Sequence, residues 1–190
     1  MARSRRLNKA IVVEAAASLI DAAGDPAALS LKTLAAALGV RVPSLYNHIE
    51  GLDGLTRAVA LWGLHQLLMD LRNAAVGKAG SEALIAVAHS YRAFAQAHPG
   101  VYLLTLRAPA TDDAEMLATA NELVGLLLLL LAPLGLDETD ALHEVRIMRS
   151  FLHGFVSLEA VGGFGLPLER DETFQRLIDR YLHTFAVKKP

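Results

Sequence analysis

Apolar residues recur at intervals of three and four along almost the whole chain, and no segment alternates with a period of two. A strand places every second residue on one face, whereas a helix of 3.6 residues per turn places every third or fourth there. Val12, Ala15, Ala16, Leu19, Ile20 and Ala23 follow the helical rule behind a capping Asn8, and Gly24 and Pro26 stop the run. The same spacing returns in Leu55, Val59, Trp62, Leu68 and Leu71, and again in Phe174, Leu177, Ile178, Tyr181, Leu182 and Phe185. The pattern predicts an all-α fold of about nine helices. Three short ones lie in the first 50 residues, with the third over 42–48. The longer ones cover about 52–75, 81–97, 112–132, 137–161 and 171–187, with a short turn of helix over 101–106. The expected organisation is a head, 1–50, on a larger helical body, 51–190.

The chain has 190 residues, of which 53% are apolar, and a net charge of −2. That composition supports a packed core and excludes both a disordered chain and a globally basic nucleic-acid coat. There is no cysteine, which removes disulfides, thiolate zinc sites, iron–sulfur clusters and a thiol nucleophile. The basic N-terminus has no long apolar stretch behind it, so a secretory leader is not expected. The most apolar run, 123–136, is shorter than the roughly 20 residues of a spanning helix. It reads as a buried helix, and the chain is expected to be cytoplasmic with no membrane partner.

Charge divides unevenly. Residues 1–60 hold seven Lys/Arg against five Asp/Glu, a net +2, and the remainder carries −4. A basic front suits contact with an anion, although Arg3, Arg5, Arg6 and Lys9 serve equally as a groove-reaching arm or a solvated tail. Within this front Ser30 caps one short helix, Gly39 ends it, and a second begins near Val42. Small residues at the corner, Ala35 and Gly39, allow close helix approach, and Val40 plugs it. Leu45 and Ile49 face inward. Arg41, Val42, Pro43, Ser44, Tyr46, Asn47 and His48 are left outside or at the edge, a set suited to phosphates and base edges.

In these residues the chain resembles the tetracycline-repressor (TetR) family of one-component transcription regulators. The shared pattern is Leu29-Ser30, Leu34-Ala35, Leu38-Gly39-Val40 and Leu45-Tyr46-Asn47-His48-Ile49, spanning about residues 8–60. Phe151-Leu152-His153-Gly154-Phe155 with Gly162-Gly163-Phe164-Gly165 is similar to the branch named for Trp, His and Gly motifs in its C-terminal domain. The resemblance implies a helix-turn-helix head, with Lys32, Pro43, Ser44, Tyr46, Asn47 and His48 against DNA. Tyr46 and Lys32 would hold phosphates, Asn47 and Ser44 would read base edges, and Val42 would touch a thymine methyl. Tyr46 could instead brace the turn, and His48 could merely pack or cap. Many family members carry a lysine just after the recognition helix; Leu52 stands there in this chain.

Beyond the head, Trp62, His65, Met69, His89, Tyr91, Phe94, Tyr102, Met116 and Leu126 combine apolar bulk with a few polar handles. That makeup suits a small-molecule chamber and an ordinary helical core alike. Leu152 and Phe155 on one late helix, and Phe174, Leu177 and Tyr181 on the last, form broad stripes. They would build a two-fold interface or pack on their own body. The seven histidines show no metal-ligand spacing, and no P-loop, Gly-x-Ser-x-Gly or strand-led glycine loop is present. No metal, cofactor or catalytic site is expected. The sequence is read as a dimeric repressor that binds a palindromic DNA operator and is released by a small-molecule effector. The alternative is a helical ligand-binding or enzymatic bundle with a vestigial helix-turn-helix.

Overall fold

A computed structural model describes residues 7–186. The described residues form nine α-helices and no strand. These are α1 (Lys9–Ala23), α2 (Leu31–Leu38), α3 (Val42–Leu45), α4 (Gly51–Ala75), α5 (Gly80–Ala97), α6 (Pro99–Leu104), α7 (Ala114–Leu131), α8 (Glu138–Ala160) and α9 (Arg170–Ala186). Short 3-10 turns cover Pro26–Ala28 and Ala132–Leu134. The all-α reading and the number of helices agree with the periodicity of the sequence.

Caps explain several of the boundaries. The Asn8 side chain accepts from the Ile11 amide at 2.9 Å, which satisfies one of the donors orphaned at the start of α1. Asp137 does the same for α8, accepting from the Asp140 amide at 2.8 Å. Two boundaries differ from expectation. Helix α3 ends at Leu45, with residues 46–48 continuing as a turn. Helix α6 opens at Pro99, two residues ahead of the expected start, because a first-turn proline loses no helical hydrogen bond.

Packing divides the chain into two compact units. The first takes the residues through Gln66 together with Ala97–Leu117. The expected boundary near residue 50 therefore falls inside this unit, which includes the first part of α4 and all of α6. Its core holds Val12, Ala16, Ile20, Leu34, Leu45, Leu55, Val59 and Val101, all fully buried. Helix α1 packs on both α2 and α6. The approach to α6 is close: a Cβ on Gly100 would overlap the Ile20 carbonyl, so only glycine fits there.

The second unit takes Leu67–Gln96 and the residues from Ala118 onward. Leu71, Leu84, Phe94, Leu131, Leu152, Phe174 and Ile178 form its core. The leucine-rich segment is not the buried helix expected. The helical stretch Ala114–Leu134 is strongly apolar, yet few of its residues are buried. Leucines occupy every side of α7, and only the stripe of Met116, Thr119, Leu127 and Leu131 is fully inward. By length and composition alone this stretch is long and apolar enough to cross a membrane.

Candidate nucleic-acid interface and effector-binding residues

The head is built by local hydrogen bonding around one corner. Ser30 and Thr33 form a reciprocal capping box at the start of α2: Ser30 Oγ accepts the Thr33 amide, and Thr33 Oγ1 accepts the Ser30 amide, each at 3.1 Å. Gly39 ends α2 at φ 66°, ψ 29°, a left-handed conformation that costs other residues but not glycine. Its amide and that of Val40 donate to the Ala36 and Ala35 carbonyls. The chain then turns extended at Arg41 and enters α3 with Pro43 in its first turn.

Leu34, Ala35, Leu45 and Ile49 fill the corner from inside. Everything between the two buried positions of the second helical segment is turned outward to some degree. Tyr46 is 57% exposed, so the leucine before it, not the tyrosine, braces the turn. Lys32, Arg41, Pro43 and Asn47 are exposed, while Val42, Ser44 and His48 are half-buried at the edge. The eight residues expected to meet DNA thus lie on the non-core side of one short helical corner. Leu52 is exposed at the start of α4. The cation five residues on, Arg57, is drawn into a pair with Asp113, with Glu115 at 3.2 Å. That pair holds the Asp113 carboxyl below the usual carboxylate range, helped by the Met116 amide. Arg3, Arg5 and Arg6 lie outside the described residues.

The expected effector residues do not gather as one set. In the first unit Met116 packs with Ala60, Leu61 and Leu64, and Leu104 lies against that cluster. Tyr102 is buried, Trp62 half-buried and His65 exposed. In the second unit Phe94 and Tyr91 are core residues and Leu126 is half-buried, whereas Met69 and His89 are exposed. His89 bonds Gln175 at 3.0 Å and meets the edge of Phe174. Among the described residues, no three His, Asp or Glu side chains form a group able to hold a metal ion.

The expected interface residues also separate. Leu152, Phe155 and Phe174 are inside the second unit, Tyr181 is buried and Leu177 is half-buried. Burial and the nearby Glu144 push the Tyr181 phenol pKa up. A different series runs along α8 to the residue just past its end, Ile147, Phe151, Gly154, Leu158 and Val161, at steps of four, three, four and three. All but Phe151 are exposed, and Phe151 is half-buried with its ring against Tyr181 at 5.0 Å. Val161 is 80% exposed, and Leu166 and Leu168 in the connection to α9 are exposed too.

Two groups were missed from sequence. His98 stands between Asp21 and Trp62. Arg92 is buried with its guanidinium over the rings of Phe155 and Phe174, which also touch each other. Neither has a local sequence signal, since their carboxylate partners, Asp21 for His98 and Glu159 and Asp171 for Arg92, lie 67 to 79 residues away.

Residues 84–181 match a protein family described as "Tetracyclin repressor-like, C-terminal domain". The chain is 34% identical over 181 residues to an uncharacterized HTH-type transcriptional regulator of Mycobacterium tuberculosis, Rv0681, covering 95% of this chain and 82% of that one. It is 33% identical to an uncharacterized HTH-type regulator of Bacillus subtilis, YobS, covering 94% and 91%. In fold it is similar to a TetR variant from Acinetobacter baumannii AYE solved in complex with minocycline. The TM-score is 0.71 at 19% identity, over 97% of this chain and 99% of that chain.

Proposed function

Because the chain belongs to the TetR family of transcriptional regulators, we propose that it works as a repressor: a homodimer on a near-palindromic operator, released by a small molecule. The observation that carries the DNA reading is the corner at Gly39. It buries Leu34, Leu45 and Ile49 while leaving Lys32, Arg41, Pro43, Tyr46 and Asn47 exposed. A neutral-to-polar outward set with two cations is what phosphates and base edges require. Two such corners related by a two-fold axis would meet successive major-groove faces roughly 34–36 Å apart. In functional terms residues 1–50 read DNA, residues 51–190 sense and assemble, and the protein works in the cytoplasm as a regulator rather than an enzyme.

The second copy is assigned to the outer face of α8. Ile147, Phe151, Gly154, Leu158 and Val161 repeat with a mean step of 3.5, the period at which one helix seam stays against another. A Cβ added at Gly154 would meet nothing within 4 Å, so a partner helix has room to approach there. Leu166 and Leu168, in the connection to α9, are exposed as well. Exposed apolar patches of this extent are uncommon on monomers.

For the effector, the supporting set in the first unit combines the packed cluster of Ala60, Leu61, Leu64 and Met116 with Trp62 and His65 of α4 and Tyr102 of α6. It is aromatic and aliphatic, with imidazole and phenol handles, which suits a largely apolar organic molecule. The test of the whole reading is a gel-shift titration of the purified full chain against the DNA upstream of its own coding sequence. A salt-sensitive shift competed poorly by unrelated DNA is expected. Equal affinity for both DNAs would remove the operator reading.

A further inference from the structure

We propose that Asp21 is a positioning residue that registers the start of α6 on α1, and that Trp62 senses whether this register is held. The inference rests on the regulator reading above and adds the residues that would tie the DNA-reading corner to α4 and α6 within the first unit.

Asp21 stands in the last turn of α1. One of its carboxylate oxygens accepts the Val101 amide at 2.8 Å, and the other meets His98 Nδ1 at 2.7 Å. Both oxygens are thus committed to the first turn of α6, where an amide would otherwise lack a helical partner. The adjacent contact leaves no slack, because Gly100 presses on the Ile20 carbonyl without room for a Cβ. From the other side, the Trp62 ring of α4 meets the His98 ring edge-on at 5.6 Å and 86°. Val101 and Thr105 fill the space a Cβ on Gly63 would take, so α6 is also pressed against α4. Three helices therefore meet at one imidazole.

Well-packed groups of this kind have discrete arrangements rather than a continuous slide. If α6 shifts along α1, Asp21 loses two hydrogen bonds together and the Trp62–His98 contact changes with them. Helix α1 in turn packs on α2, which carries Lys32. Coupling between two sites is reciprocal. On this proposal, DNA that fixes the corner alters the surroundings of Trp62, and the alteration passes through Asp21.

Trp62 is the single tryptophan of the chain, so its emission needs no assignment. The full chain is titrated with a fluorescein-labelled duplex from the DNA upstream of its coding sequence, following label anisotropy and tryptophan emission together. In the wild type, emission is expected to change in step with anisotropy. In Asp21→Asn, anisotropy is expected to rise while the emission change is lost. A purely structural role would lower stability without separating these two signals. The proposal is overturned if wild-type emission stays flat as anisotropy rises, or if Asp21→Asn keeps the full emission change. If the wild type binds no DNA, the regulator reading fails, and the register is judged on the free protein by amide hydrogen exchange. Asp21→Asn is then expected to speed exchange over 98–104 about tenfold while leaving 138–160 unchanged; equal exchange overturns the proposal. Should Asp21→Asn fail to fold by circular dichroism, His98→Gln replaces it in both measurements with the same expected outcomes.

Discussion

Arg92 and Glu159 face each other as a two-pronged pair inside the second unit, Nε to one carboxylate oxygen at 2.9 Å and Nη2 to the other at 2.5 Å. Each side chain is 9% exposed. The guanidinium also lies over the rings of Phe174 and Phe155, at 4.8 and 5.3 Å from their centroids. Asp171 adds a third contact at 2.8 Å but is itself mostly in water. One side chain of α5 therefore holds the end of α8 and the start of α9.

Arg92→Ala should be costly, because it leaves the Glu159 carboxylate buried without its counter-charge. Removing one partner of such a pair costs about 3–5 kcal/mol. Asp171→Ala, at the exposed end, should cost less than about 1 kcal/mol. Urea unfolding of the two variants beside the wild type measures both, and similar midpoints for the two would dissolve the distinction.

The same pair sets an acid limit. The Arg92 hydrogen bond, aided by Gln96, holds the Glu159 carboxyl below the usual carboxylate range against the opposing effect of burial. A carboxyl with a lowered folded pKa contributes stability that is complete above its unfolded value, about 4.3, and is lost as pH falls through the folded value. Wild-type stability should thus decline below about pH 4.3, and Glu159→Gln should make that decline shallower. Asp113, lowered by Arg57, acts in the same direction. Denaturant midpoints measured from pH 6 to pH 3 decide it.

At the head, Tyr46→Ala and Lys32→Ala should weaken DNA binding with little change in helicity or unfolding temperature, since both side chains are exposed. Loss of a phosphate-binding lysine should also flatten the salt dependence by about one charge. Leu45→Ala is the contrasting control. It truncates a fully buried residue, and should cost about 2–5 kcal/mol. Unchanged affinity in both surface variants would take the DNA contact away from this corner.

Ile147→Glu and Leu158→Glu should convert a dimer into a folded monomer that no longer occupies both half-sites. Both residues are exposed in the single chain, so the charge harms only the associated form. Phe174→Glu should instead unfold the second unit, because Phe174 is fully buried within it. Light scattering with circular dichroism separates these outcomes. A wild type that scatters as a 20 kDa particle at micromolar concentration removes the premise.

The comparison of Leu158 with Phe174 also shows where sequence reading stopped. Periodicity identifies a stripe but not the neighbour that covers it. Phe174 and Leu152 look like interface residues in one dimension, and their own unit buries both. The run around Leu129 failed for a related reason: leucine on every side of a helix cannot reveal which side faces inward. The caps at Asn8 and Ser30 and the corner at Gly39 were legible because their chemistry is complete within a few residues. Asp21 and His98 are 77 residues apart, and no local rule joins them.

The Gly39 corner separates what must stay from what can vary. Leu34, Leu45 and Ile49 hold its shape from within, and the conformation of Gly39 closes it. Arg41, Pro43, Tyr46 and Asn47 take no part in that support. A descendant of this gene could therefore adopt a new set of target promoters by exchanging a few surface side chains, with no step along the way that costs the fold.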